Sequence, residues 1–381
     1  MLGRSSPSLP NAPAMPRLLA ALLLPLMGLT SCDNADPGSF ELHEGDQLEV
    51  VTYAAVQPES RQAYADLATM IVPGRVAFIR PAARPELVRT ISIPGLLTWY
   101  ARTDRDGYVW VATPDEGDRS VHRSLYVIDP HEGTVHRAIR LPEELRGVEA
   151  FAFGPDRVYV RAWREGRSVG LGAVRRSDFA VEVLAELDST GTGVGEGIAL
   201  VGGLLYLQST GTSETEEQKI HQFDVATNAL VRTAPYAGYH TMDGPFLYTT
   251  GYFQPGVNTL YKLDAATLEP VASVVLGNPG SRIAHDAEFL YIADYPHPRV
   301  EVRSKETLAL VRTLDFSEAG PEGCCTGSNA FGFITREVLL LNERSAYDVA
   351  TGELMPSLFP LDEPASQALE LAEGRSLQSF P

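Results

Sequence analysis

Alternation of apolar and polar residues dominates the chain from about residue 68 to residue 360 and predicts short strands, not helices. A β-rich run with an aromatic or aliphatic centre recurs as VAFI (76–79), VWV (109–111), VYV (158–160), LYL (205–207), LYT (247–249), LYI (290–292) and VLL (338–340). Successive tyrosines, Tyr159, Tyr206, Tyr248 and Tyr291, lie 47, 42 and 43 residues apart. A second signature follows most copies, in which an apolar pair ends in Asp, a tight turn follows, and another apolar run begins. It centres on Asp129, Asp224, Asp264 and Asp348, with degenerate forms at Arg175 and Ser304. An Asp there opens the turn by accepting nearby backbone N–H groups, and the runs on either side read as two antiparallel strands.

A unit of 40–49 residues made only of strand and turn is what a four-stranded propeller blade requires. Seven copies predict an all-β, seven-bladed β-propeller over residues 40–361, with a β-sandwich pair or a six-bladed ring as the alternatives. The first copy is short. The segment Phe40–Val56 also alternates yet has no blade of its own, so it is expected to add a strand to the first or last blade and close the ring. Residues 362–381 read as a C-terminal tail with room for one short helix.

The N-terminus breaks the pattern. Leu18–Leu29 is a twelve-residue apolar run behind Arg17, too short for a membrane-spanning helix, which needs about 18 residues or more. It fits the core of an export signal. The run ends in Leu29-Thr30-Ser31-Cys32, which resembles the lipobox of bacterial lipoproteins. That resemblance implies a signal peptide over 1–31, cleavage before Cys32, lipidation of Cys32, and attachment of the protein to the bacterial cell envelope, facing the periplasm or the exterior. Residues 32–39 (CDNADPGS) then form the lipidated cysteine and a tether.

Composition adds one constraint. The formal net charge is −18, and Lys219, Lys262 and Lys305 are the only lysines. Such a surface repels phosphate backbones and anionic lipid, which argues against nucleic acid as a partner and makes the lipid the membrane attachment.

The tyrosine-aliphatic and Asp-turn pattern resembles YVTN-type propeller repeats, a family of extracytoplasmic seven-bladed propellers. The resemblance implies architecture and leaves activity open. Gly195–Arg232 further resembles one stretch of plant-type glutaminyl cyclotransferases, through Glu196-Gly197-Ile198 and Leu205-Tyr206-Gln208-Ser209-Thr210-Gly211. By that analogy Glu196 would be a catalytic proton-transfer carboxylate, although the family is five-bladed.

Propellers place their first-strand starts around one mouth of the central channel. Counting back from each aromatic assigns Tyr100, Glu149, Glu196, His240, His285 and Asn329 to that mouth as a ligand-binding ring. Glu149, Glu196 and Asn329 resemble the oxygen donors of gluconolactonase-like propellers. A divalent metal is therefore a candidate cofactor, with Asp243 and Asp286 as further oxygens. Cys324 and Cys325 sit in a Gly-rich loop expected over the same mouth, either as a vicinal disulfide or as two free thiols. No Cys-x-x-Cys, His-Glu-x-x-His or phosphate-loop motif occurs. The leading expectation is a binding module for an envelope protein or a small ligand. A metal-dependent hydrolase or lactonase and a cyclotransferase are the alternatives.

Overall fold

The computed structural model describes residues 42–72, 75–82, 84–93, 101–115, 118–145, 147–162, 169–187, 198–209, 219–236, 239–250, 258–278, 280–294, 297, 299–315, 332–333, 335, 337–340, 346–349, 351, 353–355 and 368–371. Their strands form seven antiparallel sheets, six of four strands and one of five, which are the blades of a β-propeller. Blades II to VII are simple meanders in chain order. Their second strands, Val109–Asp115, Arg157–Ala162, Leu204–Ser209, Phe246–Thr250, Phe289–Asp294 and Val338–Leu340, hold six of the seven recurrent runs. First strands of neighbouring blades pack on one another, as Tyr239–Asp243 does on Gly280–His285, so the first strand is innermost.

The Asp signature joins strands three and four. Asp264 Oδ1 accepts from the Thr267 N–H (2.8 Å) and hydroxyl (3.1 Å), and Asp129 and Asp224 cap their turns likewise. Four turns end on left-handed residues that are not glycine: Phe179 (φ 59°), Asn228 (53°), Leu268 (57°) and Leu308 (60°). That conformation costs roughly 1–2 kcal/mol. For Leu268 and Leu308 the cost is offset by burial of the side chain under its blade, worth about 1.5–3 kcal/mol.

The two signatures meet across the blade interfaces. The hydroxyl of Tyr206 in blade IV donates to the carbonyl of Ala265 in blade V (2.9 Å), and Gln222 Nε2 donates to the same oxygen (2.9 Å). One blade further on, the Tyr248 hydroxyl (3.3 Å) and Lys262 Nζ (3.0 Å) both donate to the carbonyl of Lys305. Each receiving residue follows the turn-opening Asp264 or Ser304. The aromatic of one blade and the Asp turn of the next are thus two halves of one joint. Burial, with a smaller contribution from Asp243, pushes the Tyr248 phenol up to about 12 and keeps it a donor. The apolar core follows the same plan, as layers between blades: Tyr159, Leu171, Leu205, Leu207 and Phe223 fill the space between III and IV, and Tyr248, Leu260, Ile283, Leu290 and Ile292 that between V and VI.

Blade I departs from the sequence reading in two ways. Its sheet runs Ala68–Val72, Arg75–Arg80, Glu86–Ser92, with Ala368–Leu371 on the inner edge and Val50–Thr52 on the outer edge. The run VAFI therefore belongs to a third strand. The register shift at Phe78/Ile79 toward Glu86–Ser92 matches the shift between third and fourth strands elsewhere, as at Val302/Arg303. Its neighbour Ala68–Val72 is the second strand, and the first comes from the far C-terminus, where Ala368–Leu371 pairs with Ala68–Ile71 and packs on the first strand of blade II, Ala101–Thr103. The described part of the C-terminal tail is thus a strand of the ring, not a helix. The N-terminal segment does join the first blade as expected, but as a fifth, outermost strand with Val51 opposite Thr90.

Candidate functional site

Antiparallel meanders sort the connections onto two faces. Turns between strands one and two and between strands three and four gather on one, the turn face; all other connections gather on the opposite loop face. Turn-face connections are tight, such as 202–203, 244–245 and 286–288, whereas strands joined through the opposite face are further apart in sequence, as Leu204–Ser209 is from Lys219–Asp224 and Leu310–Asp315 from Gly332–Phe333. Binding residues concentrate on long loops held by a rigid scaffold, which marks the loop face as the candidate site.

A tier of buried polar side chains lies directly beneath it, at the ends of second strands and the starts of first and third strands. Arg161, Gln208, His221, His240, Thr249, Thr250 and Asp294 are all buried. Arg161, entirely enclosed, donates from Nε to the carbonyl of Gln208 in the next blade (3.0 Å). His221 Nδ1 and the Thr233 hydroxyl lie 2.9 Å apart. Burial first, then the charges of Lys219 and Arg161, lower the His221 imidazole to about 4, so it is neutral near pH 7. Asp294 accepts from Asn278 Nδ2 (3.1 Å) and pairs with Arg299 (3.1 Å). Burial nevertheless raises its carboxyl above the ordinary range. Desolvating so many polar groups is unfavourable unless they are bonded. The tier consequently sets an internally bonded layer of amide, hydroxyl, imidazole and guanidinium groups and one carboxylate at this end of the strands.

Several residues assigned from sequence, Tyr100, Glu196, Asn329, Cys32, Cys324 and Cys325, lie outside the described residues. Glu149 occupies the second position of blade III's first strand, Val148–Phe153. His240 is likewise second in its strand, opposite Thr249. His285, in contrast, ends its strand, opposite Leu290. The equivalence of His240 and His285 is therefore corrected: in the ladder, His240 precedes the partner of Tyr248 whereas His285 follows the partner of Tyr291. Counting back from the aromatic misplaces it because hairpin length varies between blades. At the turn face His285 Nε2 meets the carbonyl of Met242 (3.0 Å) and ties blade VI to blade V.

Asp243 and Asp286 are corrected with it. Asp243 pairs with the Lys305 ammonium, and Asp286 accepts the Tyr291 hydroxyl (2.7 Å) and the N–H groups of Glu288 and Phe289. Both carboxylates serve the turn face and supply no oxygen to the mouth. Among the described residues no three His, Cys, Asp or Glu side chains converge as a metal cage requires. Within the segment resembling cyclotransferases, Gly195–Arg232, Leu204–Ser209 is blade IV's second strand, where the Leu-Tyr pattern is common to the ring, and the blades number seven, not five.

The tier itself was missed, although a signal for it exists. The residue two places after the aromatic is polar in three consecutive blades (Arg161, Gln208, Thr250) but Ala112 in blade II and Ala293 in blade VI.

No protein-family model matches the chain, and no curated relative matches it. Among solved structures it is similar to a dihydro-heme d1 dehydrogenase, NirN, in complex with DHE. Identity is 14%, coverage 84% of this chain and 79% of that one, and the TM-score 0.52. It is also similar to BamB from Moraxella catarrhalis, at 13% identity, 86% and 90% coverage and a TM-score of 0.49. At 14% identity the likeness to NirN concerns the fold alone.

Proposed function

We propose that the chain is a lipoprotein of the bacterial cell envelope, anchored through Cys32, whose propeller is a binding module that takes an envelope protein or small ligand at its loop face. The observation that carries this reading is the asymmetry of the two faces. Tight turns whose groups join blade to blade close the turn face, whereas a tier of buried polar side chains lies under the opposite face, where successive strands are further apart in sequence. Such a tier adds hydrogen-bond specificity to a ligand that excludes water above it. The acidic surface favours cationic or neutral ligands over polyanions.

Photo-crosslinking in living cells tests both parts. A crosslinking residue at position 297, between the second and third strands of blade VI on the loop face, is expected to yield a discrete adduct, and one at 227, in a turn, none. The Cys32→Ser chain should lose both lipid labelling and the adduct. Equal adducts from both faces, or none from either, would remove the binding-module reading.

A further inference from the structure

The N-terminal segment is fastened to blade II at both of its ends, and an arginine serves each fastening. Near its start Glu44 pairs with Arg137, and the Asp46 carbonyl accepts from Val135 N (3.0 Å). Val50–Thr52 then joins blade I and covers Leu87 and Val88, which are 7% and 0% exposed. Further on, Arg61 opens the short helix Arg61–Asp66. It donates from Nε to the Asp106 carbonyl (3.0 Å) and from Nη1 to the Tyr108 hydroxyl (2.6 Å). Its guanidinium carbon lies 3.9 Å from the centre of the Tyr108 ring.

Both fastenings meet at one histidine. His136, in the fourth strand of blade II (Thr134–Arg140), stacks on the Tyr108 ring, with centroids 4.5 Å apart and planes inclined by 25°. Phe179 of blade III meets the imidazole edge-on at 5.9 Å, and the Arg137 guanidinium stands 5.3 Å over the Phe179 ring. The imidazole is thus linked to Arg61 through Tyr108 and to Arg137 through Phe179. The acids around this cluster already have arginine partners. Arg137 holds Glu44, Arg61 holds Asp129 (3.5 Å), Arg176 holds Asp104 (2.8 Å) and Asp106 (3.5 Å), and Arg175 holds Asp178 (2.7 Å). Burial first, then Arg137 and Arg61, keep the His136 imidazole below its ordinary pKa, against the opposite pulls of Asp129 and Glu44. A histidinium would be drawn to the Tyr108 ring, but Arg61 already draws on it.

We propose that His136 makes the N-terminal segment an acid-released strap: a proton on the stacked imidazole repels Arg61 and Arg137, frees the segment from blade II and uncovers the fourth strand of blade I, Glu86–Ser92. The imidazole takes up a proton more readily with the strap away than with it docked. The strap is therefore fully held above about pH 6.5 and loosens as pH falls below that, by at most about tenfold per pH unit for one proton. Two other histidines lie close to the strap, His43 beside Asp46 (3.9 Å) and His131 beside Glu132 (3.8 Å). Neither stacks on Tyr108, the ring that Arg61 holds. The device is on the turn face and does not depend on the function proposed for the loop face.

The test is hydrogen exchange on the full chain in detergent micelles at about pH 7.5 and about pH 5.5, read as protection factors so that the pH dependence of exchange itself is divided out. Protection in Val50–Thr52 and Glu86–Ser92 should fall at the lower pH, by up to about tenfold, while Leu204–Ser209 in blade IV keeps its own. His136→Phe retains a stacking ring and has no proton to take up, so its protection should be the same at both pH values. His136→Gln should behave alike, and His136→Lys should show the acid-state protection already at the higher pH. His43→Gln and His131→Gln should keep the dependence. Equal protection at both pH values in the unaltered chain would overturn the proposal. So would a dependence that survives both His136→Phe and His136→Gln, one that vanishes in His43→Gln or His131→Gln, or a loss that Leu204–Ser209 shares equally, the mark of global unfolding.

Discussion

His221 shows what a single buried polar residue contributes. Its folded-state pKa of about 4 lies below the ordinary 6.5, so between those values the unfolded chain binds more protons than the folded one. Stability is therefore complete above about pH 6.5, declines as pH falls toward 4, and is flat below, with at most roughly 3 kcal/mol at stake. His285, also lowered by burial, acts in the same direction. Urea unfolding at about pH 7 and pH 4.5 is expected to show a smaller acid loss for His221→Gln than for the unaltered chain. Identical losses would place the pH dependence elsewhere. At this scale the sequence was legible where chemistry repeats, as in the turn-opening aspartates. It was not legible where one side chain answers another blade, as Arg161 answers Gln208.

At the scale of elements, the N-terminal segment is a strap across two blades. Gly45 N and Leu48 N donate to the carbonyls of Val135 and Gly133 in blade II before the chain pairs with blade I. It seals two edges that would otherwise stay open. Val51 is opposite Thr90 in a hydrogen-bonded position, so Val51→Pro should cost about 2–3 kcal/mol through the lost ladder bonds and the exposure of Leu87 and Val88. Hydrogen exchange should localise the loss to blades I and II. A loss of protection spread evenly over all blades would contradict the strap. The alternation of Phe40–Val56 signalled a strand, but its edge was beyond reach, because an added strand carries no mark of which neighbour it will meet.

At the scale of the whole molecule, the ring depends on its two ends meeting in blade I. The C-terminal strand Ala368–Leu371 lies on the inner edge of that sheet, against blade II. Ending the chain after residue 361 is therefore expected to open the ring, with a lower midpoint of thermal unfolding and loss of protection in Ala68–Val72 and Ala101–Thr103. A dispensable tail would leave both measurements unchanged. Period, strand content and blade number were all readable from the chain, since each blade repeats the same local code of apolar alternation and Asp turn. The assignment of VAFI failed for a physical reason: second and third strands of a blade are both buried on two faces and carry the same apolar signal. Only their neighbours tell them apart.

What the sequence determined by itself was the repeating unit, its number and its turns, because these rest on interactions within a few residues of one another. The tertiary structure alone decided which strand begins blade I, which histidine stands near the mouth, and which polar groups are enclosed beneath it. Those depend on contacts between residues 40 to 300 positions apart, and no local pattern records a partner that distant.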